Sequence, residues 1–194
     1  MANSVYAKAF THAQNNVNDE FYTRLGSIED FFDGFVLKNS PKIFYGKSII
    51  LPCDSQESKF VKYFTDNYDK LLWKKLIAVT YSGRSCGSRL FGTAQSGKIH
   101  EYVDGKLTNT YDLDGSGDFR SSEIQRYISD SDFVITNPPY SLFGNFVDIC
   151  ISANVYFFVV GTHGKVSNNN IFTHFKDGQI FGYTFEGDFD TPNG

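Results

Sequence analysis

The chain is most constrained where an apolar run, Asp132-Phe133-Val134-Ile135-Thr136, breaks at once into Asn137-Pro138-Pro139-Tyr140-Ser141. Phe133 to Ile135 read as a short buried strand, because three large apolar residues in succession leave no polar face for water. Two consecutive prolines can neither donate to a ladder nor start a helix directly, so the chain must leave the sheet there as a stiff loop. Asn137 therefore stands at the carboxyl end of a strand, the edge at which open α/β sheets bind their ligands. Prolines carry no N–H, so the local backbone offers carbonyl oxygens without competing donors, next to an amide oxygen and an aromatic face. Two acceptors beside a flat ring suit a planar amino group such as N6 of adenine.

Strand and helix signals alternate along the rest of the chain. After a polar lead-in from Met1 to Asn18, the spacing of Ile28 to Phe32 predicts a short helix with Ser27 as its N-cap. Lys47 to Leu51 read as a central strand ending in a turn at Cys53-Asp54, and Ser58 to Tyr68 as a helix with Phe60, Val61 and Phe64 inward. This is a βα unit with the helix amino end facing the turn. No glycine-rich loop marks it, and on the residues alone Asp54 is a carboxylate stabilised by the helix dipole.

Leu76 to Tyr81 make a second strand, and Tyr81 is either an edge aromatic or a ring on which an adenine stacks. Ser82 to Gly97, rich in Gly, Ser and Arg, read as a long loop carrying Arg84 and Arg89. Lys98 to Val103 and Leu107 to Tyr111 alternate apolar and polar about Asp104-Gly105, a hairpin signal. Asp112, Asp114, Ser116, Gly117, Asp118 and Glu123 fall at the ligand spacing of an EF-hand calcium loop. An EF-hand needs an incoming helix, however, and here the incoming segment reads as a strand. The preferred reading is a loop before a helix from Glu123 to Ile128, capped by Ser121 or Ser122. Beyond the prolines come a helix from Phe146 to Ile151, a strand from Val155 to Val160, a polar turn with His163 and Lys165, a helix from Ile171 to Lys176 and a strand from Gln179 to Phe185. This alternation predicts a doubly wound, mostly parallel sheet with helices on both faces and an antiparallel terminal element.

A net charge of −4 is the wrong sign for a surface devoted to phosphates, so contacts to nucleic acid would need a local basic patch or lie outside this chain. The 20 phenylalanines and 12 tyrosines serve stacking surfaces or a β-rich core equally well. Cys53, Cys86 and Cys150 are odd in number and lack metal-binding spacing, as expected of reduced thiols in a cytoplasmic protein. With no signal peptide and no apolar stretch of membrane-spanning length, a soluble chain without a membrane partner is expected.

The order of these blocks resembles a known family. Asn137-Pro138-Pro139-Tyr140 looks like the catalytic motif of amino-methyltransferases that use S-adenosylmethionine. Asn18-Asp19-Glu20-Phe21-Tyr22-Thr23, then Cys53-Asp54 after a strand, then Gly117-Asp118-Phe119-Arg120-Ser121 resemble one branch, the EcoRI-type adenine-specific DNA methyltransferases, from about Asn18 to Tyr183. The resemblance implies a Rossmann-like class I methyltransferase fold and a single catalytic domain over residues 1–194, without the C-terminal target-recognition region of other members. It implies S-adenosylmethionine held by Phe21, Tyr22, Thr23, Asp54, Asp118, Phe119 and Asn137, and catalysis by Asn137, Pro138, Pro139 and Tyr140, with no metal. The Phe-Tyr-Thr piece would lie against the methionine end, and Asp118 would face the adenine amino group. The implied partner is double-stranded DNA with a flipped adenine, in a restriction-modification system or as an orphan modification, with Lys165 and Asn168 to Asn170 near the target base. Glutamine and guanine N-methyltransferases share the tetrad. Methylation of RNA or of a protein glutamine therefore stays open, as does a non-catalytic binding or assembly module.

Overall fold

A computed structural model describes residues 22–82, 96–161, 169–183 and 189–190. Strand β1 (Tyr22–Thr23) leads into helix α1 (Leu25–Phe31), which widens into a π-helical turn over Phe32–Val36 and closes as α2 (Leu37–Asn39). Strand β2 (Ser48–Leu51), helices α3 (Lys59–Asp66) and α4 (Tyr68–Leu71) and strand β3 (Lys75–Thr80) come next. Then come the hairpin strands β4 (Lys98–Val103) and β5 (Lys106–Asp112), helix α5 (Ser122–Ser129) and strand β6 (Phe133–Thr136). A 3₁₀ turn (Tyr140–Leu142), helix α6 (Phe143–Ser152), strand β7 (Tyr156–Val159), helix α7 (Asn169–Lys176) and strand β8 (Phe189–Asp190) complete the described elements.

The main sheet has the order β5-β4-β3-β2-β6-β7. Its β3-β2-β6-β7 portion is parallel, and β4 and β5 are antiparallel additions on the β3 side. Both faces of the parallel part are covered, which is why its strands are apolar at nearly every position. The period of two sorts them: Ile49, Leu51, Leu76, Ala78, Phe133 and Ile135 enter one core, with Phe32, Phe44, Phe60 and Phe64. Ile50, Ile77, Val79 and Val134 enter the other, with Ile124, Ile128 and Phe146. Helices α1 and α3 thus cover one face, and α5 and α6 the opposite one. Each fully buried side chain of this size stabilises by roughly 1.5–3 kcal/mol. An exposed ion pair such as Lys62 with Asp66 contributes about 0–1 kcal/mol, so the alternation holds the sheet.

Local chemistry sets the element ends. The Ser58 hydroxyl accepts the Val61 N–H at 3.1 Å and starts α3, and the Ser121 hydroxyl accepts the Ile124 N–H at 3.3 Å and starts α5. In the hairpin turn, Asp104 (φ 51°) and Gly105 (φ 73°) both take positive φ, as the tight turn matching strand twist requires. A Cβ at Gly105 would also sit 2.8 Å from Tyr68 Cβ, so only glycine fits.

Three expectations are corrected. Ser27 does not cap α1; Arg24 is still extended as it leaves β1 (φ −68°, ψ 145°), so the helix begins at Leu25 and Ser27 lies inside it. The strand expected from Gln179 is irregular through Tyr183. Gly178 (φ 68°) reverses the chain there, and the Gln179 N–H bonds back to the His174 carbonyl at 2.9 Å instead of entering a ladder. The terminal antiparallel element is not part of the main sheet: β8 pairs antiparallel with β1 outside it, while the hairpin β4-β5 joins the parallel strands as the antiparallel addition its alternation predicts. Met1 to Phe21, Arg84, Cys86, Arg89, His163, Lys165, Ser167 and Asn168 lie outside the described residues. Among the described residues no helix is long and apolar enough to cross a membrane.

His100 joins three strands: its Nε2 lies 2.9 Å from Thr80 Oγ1 on β3, and its Nδ1 3.1 Å from Thr110 Oγ1 on β5. Burial pushes its imidazole below the ordinary value of 6.5. A folded-state value below the unfolded one means that the neutral ring favours folding. Its contribution is complete above about pH 6.5 and is lost as pH falls through the folded value. A His100→Gln variant should therefore lose less stability than the wild type between about pH 7 and about pH 5. Equal pH slopes in chemical denaturation would refute this.

Candidate active site

The chain leaves β2 toward β3 on one side, while β6 and then β7 extend the sheet on the other. Such a switch in strand order opens a crevice at the carboxyl ends of the two central strands. Thr136, the last residue of β6, is fully buried there. Its Oγ1 donates to Asp54 Oδ2 at 2.5 Å and accepts the Cys53 N–H at 3.2 Å, tying the end of β6 to the turn after β2. Asp54 is itself 6% exposed, so this carboxylate is held with a hydroxyl donor in place of bulk water.

The next residue is Asn137. Its Nδ2 donates to Thr23 Oγ1 at 3.2 Å, joining the Tyr22-Thr23 segment to the Asn-Pro-Pro-Tyr loop across 114 residues of sequence. Thr23 is buried, and its backbone is held by pairing with Phe189 across β1 and β8. Pro138 is buried and Pro139 half-buried. Tyr140, 9% exposed, starts the 3₁₀ turn, which the Leu142 N–H closes onto the Pro139 carbonyl at 2.9 Å.

Asp118 reaches the same edge from another direction. The loop that carries it packs over the end of β3: the Ser82 N–H bonds to the Ser116 carbonyl at 2.9 Å, and a Cβ at Gly117 (φ 81°) would lie 3.0 Å from the Thr80 carbonyl oxygen. Arg120 clamps Asp118 through Nε at 2.9 Å and Nη2 at 2.6 Å, and this guanidinium holds the carboxyl below the usual carboxylate range. Phe119 points away, into the core, with its ring edge-on to Phe146 at 4.9 Å. Tyr81 is 51% exposed where β3 ends.

The calcium-like spacing finds different partners. Asp112 pairs with Lys98 Nζ at 2.7 Å, Asp118 with Arg120, and the Glu123 oxygens accept the Asp114 and Gly115 N–H groups, each at 3.2 Å. The segment running in is strand β5. Among the described residues no group of three or more His, Cys, Asp or Glu is placed to hold a metal ion. Cys150 is buried and its thiol is pushed up to about 12 by desolvation, which leaves it unreactive.

Asp54 and Asn137 thus follow the carboxyl ends of β2 and β6, and Asp118 comes over the end of β3 on a loop. Residues 9–193 match the family described as adenine-specific methyltransferase EcoRI. The chain belongs to this family. It is 36% identical over 177 residues to the type II methyltransferase M.MgeORF184P of Mycoplasma genitalium, covering 90% of this chain and 51% of that one. It is 33% identical over 189 residues to the type II methyltransferase M.EcoRI of Escherichia coli, covering 93% and 56%. The chain thus spans about half the length of the curated relatives it matches. No solved structure matches it.

Membership of a methyltransferase family implies a methyl donor, and two features of the crevice were not read as site features from the sequence. Thr136 looks like any β-branched strand residue; its only signal is its place directly before Asn137. The bond between Thr23 and Asn137 has no local signal. Thr136→Val keeps the side-chain shape but removes the hydroxyl donor to Asp54 and the acceptor for Cys53. It should destabilise the fold by about 1–3 kcal/mol in urea denaturation. A loss below about 0.5 kcal/mol would show that the crevice does not rely on this hydroxyl.

Proposed function

We propose that this chain transfers a methyl group from S-adenosylmethionine to the N6 amino group of adenine in DNA, as the catalytic domain of a type II or orphan modification enzyme. The observation that carries the reading is Asn137, fixed by a buried hydroxyl at the carboxyl end of β6 and followed by two prolines that bring no N–H of their own to compete for its acceptors. Family membership supplies the reaction class.

The side chains at this edge fit the cofactor by their chemistry. S-adenosylmethionine presents an ammonium group, ribose hydroxyls and an adenine amino group, all donors; Asp54 offers a carboxylate acceptor, and Asp118 would do so by giving up part of its contact with Arg120. Phe21 and Tyr22 would lie over the sulfonium by cation–π attraction, as the family resemblance implies. When bound, the cofactor supplies an electrophilic methyl group.

The chain's own task lies at the acceptor nitrogen. The lone pair of an exocyclic adenine nitrogen is delocalised into the ring, and the enzyme must favour a tetrahedral geometry. Asn137 Oδ1 and the Pro138 carbonyl would accept its two N–H bonds and direct the lone pair out of the ring plane. Their attraction grows as the nitrogen becomes positive, so it stabilises the transition state more than the ground state. The methylated nitrogen, then cationic, would lose one proton to water and return to neutrality. Tyr140 would stack on the base, which must leave the duplex to reach it.

Tritium transfer from labelled cofactor to DNA, RNA and protein in parallel should label DNA alone, and the label should elute as N6-methyladenine. Asn137→Ala should lower transfer by roughly 10²–10³ while leaving circular dichroism unchanged. Wild-type turnover in that variant would sink the mechanism, and label on RNA or protein would redirect the substrate.

A further inference from the structure

Resting on the reading above, we infer that Thr23 is a positioning residue for Asn137: its hydroxyl holds the Nδ2 end of the amide and so presents the Oδ1 end to the acceptor nitrogen. An asparagine amide has two chemically opposite ends of nearly the same shape, one accepting and one donating. Only the oxygen end serves a substrate that arrives as an N–H donor. If the amide rotated by half a turn, it would set donor against donor and bind nothing.

The structure contains what this role requires. Thr23 Oγ1 lies 3.2 Å from Asn137 Nδ2. Thr23 is 5% exposed, so water does not compete freely for its hydroxyl. The threonine is fixed from outside the loop, by the pairing of Tyr22 with Asp190 and of Thr23 with Phe189. Asn137 is fixed at its base, because Thr136 is bonded to Asp54 and Cys53 through its hydroxyl and to the Val160 N–H, at 3.1 Å, through its carbonyl. Two rigid supports therefore meet at one hydrogen bond. A hydroxyl can accept from Nδ2 while Oδ1 is engaged by the substrate, and with a donor arriving at the amide this is the one arrangement that satisfies both of its ends. Valine has the same shape and would take that acceptor away from the amide in the reacting complex, while serine would keep it.

This differs from a cofactor-holding role for Thr23, and the two separate in kinetics. Thr23→Val should lower kcat for methyl transfer to adenine-containing DNA by roughly ten- to a hundredfold. Its Kd for S-adenosylmethionine, by calorimetry, should stay within about twofold of wild type, since no transition-state interaction contributes to it. Thr23→Ser should recover most of the rate. An unchanged kcat in Thr23→Val, a loss confined to cofactor affinity, or a serine variant no better than valine would each overturn the inference. A second measurement needs no turnover: the side-chain NH₂ resonances of Asn137 in a ¹⁵N-labelled chain should shift, and exchange faster with solvent, in Thr23→Val but not in Thr23→Ser. Resonances that do not respond to valine would refute the hydrogen bond itself. A wild-type chain that labels no DNA while its Asn137 resonances behave as expected would instead overturn the functional reading, leaving the bond intact.

Discussion

The buried hydroxyl of Thr136 is the contact on which the crevice depends. β2 and β6 are short strands that pair through few residues, Ile49 with Phe133 and Ile50 with Val134, and such a ladder is weak by itself. Side chains clamp it at both ends. At the carboxyl end Thr136 joins Asp54 and Cys53. At the amino end the Asp132 carboxylate accepts the Ser48 N–H at 2.9 Å and the Lys47 ammonium at 3.0 Å, and the Ser48 amide holds its carboxyl below the usual range. The outer clamp is half-exposed and screened by water, whereas the inner one is dry and correspondingly stronger. Because the inner clamp includes the residue before Asn137, the abrupt exit of the chain at the two prolines is anchored by the sheet and not by the amide.

The charge of the molecule obeys the same division of labour. At its carboxyl edge Asp54 is held by the Thr136 hydroxyl, while the charge of Asp118 is offset by Arg120. With an overall charge of −4, the proposed function requires that contacts to a nucleic-acid backbone come from local basic surfaces.

Much of this was legible in the residues because their signals are local. The apolar runs at Ile49 to Leu51, Leu76 to Val79 and Phe133 to Ile135 are too continuous for anything but strands covered on both faces, and Asp104-Gly105 specifies its own turn. Ser27 misled because a capping residue is judged by the apolar spacing after it, while the helix start was decided by the strand before it. Gln179 to Tyr183 misled because alternation counts only if the N–H groups are free, and α7 had already taken the first of them. The family resemblance named Thr23, Asp54, Asp118 and Asn137 in order along the chain. Only the fold supplied what they touch: Asp118 reaches Arg120 nearby, but Asp54 and Thr23 find partners from the far side of the sequence.

The pairing of β1 with β8 bears on how the protein is made. Synthesis proceeds from the amino end, and domains form as their parts emerge. β2, β3, β6 and β7 can assemble as soon as Val159 is available, yet β1 has its sheet partner only at Phe189 and Asp190. Thr23, among the first of the described residues to leave the ribosome, is among the last to be seated. A nascent chain can therefore bury its core while the Asn137 amide still lacks its support from Thr23, a contact made only as a final act of folding.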